Sequence, residues 1–131
     1  MSARSTKRIE VEAMTIKLYS SHGSLGSRKA KAWLEERGIH YQERNFSKVK
    51  LSTEEIKELF RLSNDIYEVL SKRSTTLKNY PGNIEDLTFN ELISFIQQNP
   101  DVLKRPLIHN GKVLVSGFDD DEMSVFRRRR R

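Results

Sequence analysis

Few side chains in this sequence could carry chemistry by themselves, because its 131 residues include no cysteine. That absence excludes disulfides, thiolate metal sites and a cysteine nucleophile. The three histidines, His22, His40 and His109, are scattered along the chain without the spacing of a metal site. We therefore expect surface or loop roles for the histidines, and the sequence predicts neither a bound metal nor a cofactor.

Positive charge could also bind a partner, and it is concentrated at the two ends of the chain. The formal net charge is +6 at pH 7, yet residues 14–126 hold 16 basic and 16 acidic residues. The excess lies in residues 1–13 and in the five arginines at residues 127–131. A neutral body argues against a broad nucleic-acid-binding surface but leaves room for a local patch. For the arginine tail, a solvated disordered end and a contact with DNA phosphates both remain open.

The composition predicts a single small domain without membrane contact. With 36% apolar and 32% charged residues, the chain can build only a limited core. No apolar run approaches the roughly 20 residues that span a bilayer, and the N-terminus lacks the apolar segment of a secretory signal. We expect a cytoplasmic protein in which residues 1–13 are a flexible extension, residues 14–126 form the domain and residues 127–131 are a basic tail.

The first part of the domain predicts a β-α-β unit. Residues 16–19 alternate as a strand, and a loop of small residues leads to a helix that begins at Ser27 and ends before Gly38. Residues 39–45 are expected to form the second strand. Two strands joined in this way are parallel, with a right-handed connection.

Helices are predicted across the middle of the chain. Two capping boxes, Ser52 to Glu55 and Thr88 to Glu91, each mark the start of a helix. A further short helix is expected at residues 65–70 and a loop at residues 78–83. The helix that starts near Thr88 has an apolar face formed by Phe89, Leu92, Ile93 and Ile96.

The C-terminal part predicts a β-hairpin followed by a short helix. Asn110-Gly111 is a strong turn signal between strands at residues 107–109 and 113–115, and acidic residues 119–122 suit a helix start. Joining this hairpin to the β-α-β unit gives a mixed four-stranded sheet of the α/β class. The sequence therefore predicts a thioredoxin-like fold with a helical region inserted at about residues 52–100.

Several short segments, in order between residue 14 and about residue 126, resemble Spx proteins, which are related to arsenate reductases. These segments are Leu18 to Ser21, Ser27 to Leu34, Glu43 to Asn45, Lys72 to Ser74, Leu103 to Pro106 and Gly117 to Glu122. Spx proteins are cytoplasmic bacterial regulators that bind the C-terminal domain of the RNA polymerase α subunit under thiol stress. The resemblance implies a non-enzymatic transcription regulator with that partner. It also implies a cis bond between Arg105 and Pro106 that faces Ser24.

The family's redox switch is a Cys-x-x-Cys motif, and the matching positions here are Ser24 and Ser27. A helix N-terminus lowers the pKa of a thiol, whereas a serine hydroxyl needs an adjacent general base to react near neutral pH. We therefore expect a degenerate motif with no functional disulfide switch, in which Ser27 is an N-cap or first-turn N1 residue. A natural redox-blind relative and a deliberate replacement of two cysteines are both compatible with the serine pair.

Arsenate reductases hold their oxyanion with a cysteine and three arginines. In the resemblance Arg73 and Arg105 match two of these arginines, and Phe118 stands where the third is expected. Arsenate reduction is therefore not expected. An alternative is a degenerate reductase-like domain that binds an anion or a thiol metabolite through the two arginines. Arg105 could equally form a salt bridge with a helix carboxylate.

The polymerase contact implied by the resemblance lies at the end of the helix that starts at Ser52. Arg61 matches an arginine of that surface. The family's glycine falls in the stretch Ser63 to Glu68, which contains Asp65, Ile66 and Tyr67 but no glycine and is one residue shorter. Side chains there would alter or block the docking that a glycine permits. The segment could instead be a solvated helix turn, or an interaction module for another partner. Family C-termini are also recognised by a protease adaptor, so the arginine tail could change turnover.

Overall fold

A mixed four-stranded sheet forms the centre of the computed structural model, which describes residues 15–127. The strands are β1 (Ile16–Ser20), β2 (Tyr41–Asn45), β3 (Leu107–His109) and β4 (Leu114–Ser116), in the spatial order β2-β1-β3-β4. β1 is parallel to β2 and antiparallel to β3, and β3 is antiparallel to β4. The predicted thioredoxin-like sheet is confirmed. The extension at residues 1–13 and the tail beyond Arg127 lie outside the described residues.

One face of the sheet is covered by helix α1 (Leu25–Glu36), which connects β1 to β2. Ala30, Trp33 and Leu34 of this helix are buried against Leu18 and Ile108 of the sheet. At the end of the described chain, helix α5 (Asp120–Met123) and a 3₁₀ turn (Ser124–Phe126) complete the same face. The spacing of three and four residues between the buried α1 positions places them on one face of the helix and accounts for this packing.

The other face is covered by the region between β2 and β3. It contains helices α2 (Thr53–Leu62), α3 (Thr75–Lys78) and α4 (Phe89–Gln98), with 3₁₀ turns at Ile66–Glu68, Ile84–Asp86 and Pro100–Val102. Both predicted capping boxes are confirmed, because each cap side chain and each N3 glutamate exchange hydrogen bonds with the backbone. Within residues 15–127, no helix is long and apolar enough to cross a membrane.

A single antiparallel bridge between Leu70 and Leu103 joins the middle of the helical region to the segment that enters β3. The amide of Ser71 donates to the carbonyl of Val102 at 2.7 Å, and the amide of Lys104 donates to the carbonyl of Val69 at 2.8 Å. This bridge explains why the helix predicted at residues 65–70 is wrong. Only Ile66–Glu68 form a 3₁₀ turn, since the chain must extend at Leu70 to pair with Leu103.

Other differences from the predicted elements have local causes. α1 begins at Leu25 rather than Ser27, and Ser74 caps a helix, α3, that the sequence did not predict. The second strand begins at Tyr41 and the last strand at Leu114, two residues and one residue later than predicted. Phe89, expected on the apolar face of α4, is 49% exposed at the first position of that helix.

His109 is buried in β3, so the expected surface or loop role is wrong for this histidine. Its ring stacks on the ring of Tyr19 at a centroid distance of 5.8 Å. Its Nδ1 accepts a hydrogen bond from the Gly111 amide at 3.0 Å, so the neutral ring carries its proton on Nε2. Among the residues described, Nε2 has no partner, and neither has the Tyr19 hydroxyl.

Protonation of His109 is expected to destabilise the fold. Burial lowers the pKa of His109, with Lys17 and Arg61 acting in the same direction and Glu58 opposing them. Because the folded pKa lies below the unfolded value of about 6.5, the stability is complete above that pH and is lost as the pH falls. We expect the free energy of unfolding to decrease below pH 6.5 by up to about 1.4 kcal/mol per pH unit.

Urea unfolding at a series of pH values checks this expectation. Substituting His109→Phe should remove most of the slope between about pH 6.5 and 5. The exposed His40 supplies the control, and His40→Gln should retain the slope. A slope that persists in His109→Phe would show that another group titrates. Glu43 and Glu55 are separable from His109, because their lowered pKa values place their contribution at more acidic pH.

Candidate functional site

The two serines at the degenerate motif open helix α1. Ser24 is the N-cap, and its Oγ accepts a hydrogen bond from the Ser27 amide at 3.1 Å. Ser27 is the third residue of the helix and is buried, so its prediction as an N-cap or N1 residue is wrong. The helix starts earlier because Ser24, rather than Ser27, ends the loop and satisfies a free amide of the first turn.

Neither serine has the surroundings of a nucleophile. The Ser27 Oγ is buried and has no hydrogen-bond partner within residues 15–127. The Ser24 Oγ is engaged as an acceptor by the helix backbone. A reactive serine requires a base within hydrogen-bond reach to take its proton, and no side-chain base is bonded to either hydroxyl among the described residues. The geometry therefore gives the Ser24 hydroxyl a structural role as the helix cap and leaves the Ser27 hydroxyl without a bonded base.

Pro106 packs against the first turn of α1. The Arg105-Pro106 bond is cis, as the resemblance implied. A Cβ atom placed on Gly26 would lie 3.0 Å from Pro106 Cδ, 3.4 Å from the Arg105 carbonyl oxygen and 3.8 Å from Phe118 Cβ. The contact partner of the proline on α1 is thus Gly26, which lies between the two serines. A side chain at this position would require the neighbouring proline or the loop to shift by a few tenths of an ångström.

The two arginines matched to the anion site lie on loops that the Leu70–Leu103 bridge holds side by side. Arg105 donates from its guanidinium to the Asp101 carbonyl at 3.2 Å. It forms no salt bridge with a described carboxylate, so that expected structural role is wrong. Arg73 is exposed, and its guanidinium has no partner within residues 15–127. Both guanidinium groups therefore retain donors for an anion.

The residues predicted to contact a protein partner come together at the end of α2. Arg61 is exposed and forms an ion pair with Glu58. Asp65 caps the following 3₁₀ turn by accepting from the Tyr67 amide at 2.9 Å. Ile66 packs against the core of the helical region, whereas Tyr67 is 38% exposed. Of the two bulky side chains at the position of the family's glycine, only Tyr67 stands on the surface.

Tyr67 is held by a residue that the sequence did not single out. Its hydroxyl donates to Glu85 Oε2 at 2.9 Å, and this hydrogen bond raises the pKa of Tyr67. Glu85 lies in the 3₁₀ turn Ile84–Asp86, well separated from Tyr67 in the sequence. No local pattern predicts such a pairing, which depends on how the helical region folds back on itself.

A bidentate ion pair between Arg44 and Glu55 was also not predicted. Arg44 Nε donates to Glu55 Oε2 at 2.7 Å, and Arg44 Nη2 donates to Glu55 Oε1 at 2.8 Å. The same guanidinium donates to the carbonyls of Val49 and Lys50 at 3.1 and 2.6 Å. This pair fixes the connection between β2 and α2, and so positions the helix that carries Arg61. The clue in the sequence was Glu55 itself, which was interpreted only as part of a capping box.

No metal centre is formed by the part of the chain described here, where no cluster of three or more His, Cys, Asp or Glu side chains could hold an ion.

The family model described as the ArsC family matches residues 2–126. The chain belongs to the ArsC family.

Among the relatives of this ArsC family chain are global transcriptional regulators named Spx. The Spx of Listeria innocua is 40% identical over 116 residues, which cover 88% of each chain. The Spx of Staphylococcus aureus is 38% identical over 112 residues, which cover 85% of this chain and 86% of the relative. The resemblance to Spx proteins is confirmed.

The fold is shared with a solved arsenate reductase from Vibrio cholerae. The two structures superpose with a TM-score of 0.75 at 21% identity, covering 87% of this chain and 98% of the reductase. At that identity the likeness concerns the fold alone. The thioredoxin-like α/β architecture of the ArsC family is therefore confirmed for this chain.

Proposed function

We propose that this protein is a non-enzymatic regulator of transcription that binds the C-terminal domain of the RNA polymerase α subunit. We further propose that it does so without a disulfide switch. The observation that carries the proposal is its 40% identity to an Spx regulator over 88% of both chains, combined with serines at the positions of the switch cysteines.

The loop geometry supports the absence of a redox switch. The Ser24 hydroxyl caps the N-terminus of α1. The Ser27 hydroxyl is buried, and among the described residues no base is bonded to it. Since the whole sequence contains no cysteine, oxidation has no thiol to act on. The protein would therefore remain in one functional state under oxidising and reducing conditions.

The surface at the end of α2 supports the proposal that the α-subunit domain binds there. Arg61 is exposed where the resemblance places a contact arginine. Ile66, which could have blocked docking, is partly buried and packs against the core of the helical region. Tyr67 is tied to Glu85, so its ring has a defined position. The replacement of the family's glycine therefore leaves a surface that is ordered and open.

Binding to the purified α-subunit domain tests the proposal. Isothermal titration is expected to show saturable binding with the same Kd in dithiothreitol and in diamide. Arg61→Glu should weaken binding about tenfold, which is about 1.4 kcal/mol. Lys29→Glu, an exposed charge reversal on α1, is the matched control and should bind like the wild type. Absence of binding, with and without promoter DNA, or a Kd that changes with oxidant would refute the proposal.

The basic tail adds two partners to this proposal. Contact of the arginines at residues 127–131 with promoter DNA phosphates would give the complex a strongly salt-dependent affinity. A protease adaptor that recognises the C-terminus would instead make the tail a determinant of turnover. Deleting residues 127–131 distinguishes these two partners. If the tail contacts DNA, the deletion should reduce the salt dependence of DNA binding. If a protease adaptor recognises the tail, the deletion should change the half-life of the protein.

Anion binding is the second candidate function, and the free donors of Arg73 and Arg105 favour it. A degenerate reductase-like site would hold phosphate, arsenate or a thiol metabolite without chemistry. Saturable binding of arsenate, phosphate or glutathione that is lost in Arg105→Ala would support this function. If neither the polymerase domain nor these ligands bind, the surface at residues 63–68 is left as an interaction module for another partner.

A further inference from the structure

We propose that the turn between β3 and β4 is a proton-sensitive switch, which the neutral ring of His109 holds closed and the protonated ring opens. The turn comprises residues 110–113 and leads into β4, which lies at the edge of the sheet. Histidine is the side chain whose charge ordinarily changes close to neutral pH. The switch belongs to the fold itself and requires no particular partner.

Hydrogen bonds to two side chains close this turn. The Nδ1 atom of His109 accepts from the Gly111 amide at 3.0 Å. The Oδ1 atom of Asn110 accepts from the amides of Lys112 and Val113 at 3.0 and 2.9 Å. The carboxamide of asparagine does not titrate, so the imidazole nitrogen is the one acceptor of these bonds that a proton can remove.

Protonation takes place on the nitrogen that the turn uses as its acceptor. The neutral ring already carries its hydrogen on Nε2, because Nδ1 of His109 accepts a hydrogen bond. A proton from solvent therefore binds to Nδ1 and occupies the lone pair that holds the Gly111 amide. One N–H bond forms, and two donors then face each other across 3.0 Å without an acceptor. The hydrogen bond to Gly111 must break.

The ring cannot escape this conflict by rotating in place. His109 is 4% exposed, and its ring stacks on the ring of Tyr19 with an angle of 28° between the two planes. Both nitrogens of an imidazolium are donors. A ring flip would therefore present a second N–H group to the Gly111 amide instead of an acceptor.

The charged groups that face the ring do not stabilise the added proton. Lys17 of β1 and Arg61 of α2 both oppose it, while Glu58 of α2 favours it. Glu58 already forms an ion pair with Arg61. Tyr19, the other titratable group stacked on the ring, stays neutral because burial raises its pKa. Burial is the largest cause that lowers the pKa of His109, so the imidazolium is better accommodated where the turn opens to water.

Opening of the turn is expected to be local. His109 pairs with Leu114, the first residue of β4, so the hairpin loses its outermost pair first. The pairing of Ile108 with Val115 lies further from the turn and can persist. Below the pKa of a solvated imidazole, about 6.5, the ratio of closed to open turn should fall by up to about tenfold per pH unit.

A pH titration of the ¹⁵N-labelled wild type by nuclear magnetic resonance tests the switch. The scalar coupling between the Gly111 amide nitrogen and Nδ1 of His109 reports the hydrogen bond directly. It should be present at about pH 8, where the ring is neutral, and should disappear with the same midpoint as the ring titrates. The control is the Glu85 amide, which donates to Asn83 Oδ1 at 2.9 Å over the same two-residue spacing. The Glu85 amide shift should not follow that midpoint.

A substitution at the ring supplies an acceptor that does not titrate. In His109→Asn, the Oδ1 atom corresponds to Nδ1 of the imidazole and can accept from the Gly111 amide at every pH. The pH dependence of the Gly111 shift should therefore disappear in this variant. His40→Gln, at an exposed position, is the matched control and should retain it.

Three outcomes would overturn the inference. If the coupling is absent at about pH 8, or persists after the ring of His109 has titrated, the ring does not control the turn. If the amides of Gly111 and of β1 change together, acid unfolds the whole domain and no local switch exists. If a folded His109→Asn keeps the pH dependence, another group controls the turn. The wild-type titration decides between these results even if His109→Asn does not fold.

Discussion

Replacing Glu55 with alanine is expected to lower the free energy of unfolding by about 3 kcal/mol. The substitution removes both hydrogen bonds from Arg44 and the bond from the Ser52 amide, which Glu55 accepts at 2.8 Å. The Arg44 and Glu55 side chains are only 25% and 17% exposed. An unpaired guanidinium would therefore be left partly desolvated, which is the costly outcome of breaking such a pair.

Urea unfolding followed by circular dichroism measures this effect. Glu54→Ala, in the same first turn of α2 but exposed, is the control and should stay within about 0.5 kcal/mol of the wild type. Partial burial alone would raise the pKa of Glu55, but hydrogen bonds from Arg44 and Ser52 hold it below its usual range. Its contribution is therefore complete above the unfolded pKa and should be lost as the pH falls below about 4. A Glu55→Ala variant as stable as Glu54→Ala would contradict the assignment.

Gly26→Val is expected to cost about 3 kcal/mol, because its Cβ would already crowd Pro106 and the two methyl groups would add to the overpacking. Even the Cβ alone would lie 3.0 Å from Pro106 Cδ and 3.4 Å from the Arg105 carbonyl oxygen. Pro106 is buried and cannot move aside without displacing β3. The loop containing Ser24 would have to shift instead. Thermal and urea unfolding both report the loss.

The control for Gly26→Val is Ala32→Val, at an exposed position of the same helix. A β-branched residue there should cost only its helix propensity, about 0.5 kcal/mol. If the two variants are equally stable, the first turn of α1 has room for a side chain and the close contact with Pro106 is not needed. Gly26→Ala should fall between the two, since alanine favours the helix but its Cβ meets the proline.

The sequence predicted most accurately the features that depend on neighbouring residues. Both capping boxes were found because a serine or threonine and a glutamate three residues later bond to each other's backbone. The parallel pairing of β1 with β2 and the antiparallel pairing of β3 with β4 followed from the β-α-β and hairpin patterns. The cis bond at Pro106 and the serine positions came from family resemblance, because nothing local distinguishes them.

The features that were missed depend on contacts between distant segments. A helix was predicted at residues 65–70, but the bridge to Leu103 extends the chain at Leu70. His109 is buried because β3 pairs with β1 on one side and β4 on the other. The Tyr67–Glu85 bond and the exposure of Phe89 likewise arise from packing within the helical region. Spacing along the chain carries no signal for these contacts.

The Leu70–Leu103 bridge also determines how the molecule loses its structure. The hydrogen bonds of Ser71 and Lys104 attach the helical region to the chain just before β3, so detaching this region also breaks the pairing next to the sheet. The two layers therefore unfold as one cooperative unit. The fluorescence of Trp33, on one face of the sheet, and the far-ultraviolet dichroism of the helices on both faces will consequently share a single midpoint. One free energy of unfolding then describes the whole domain.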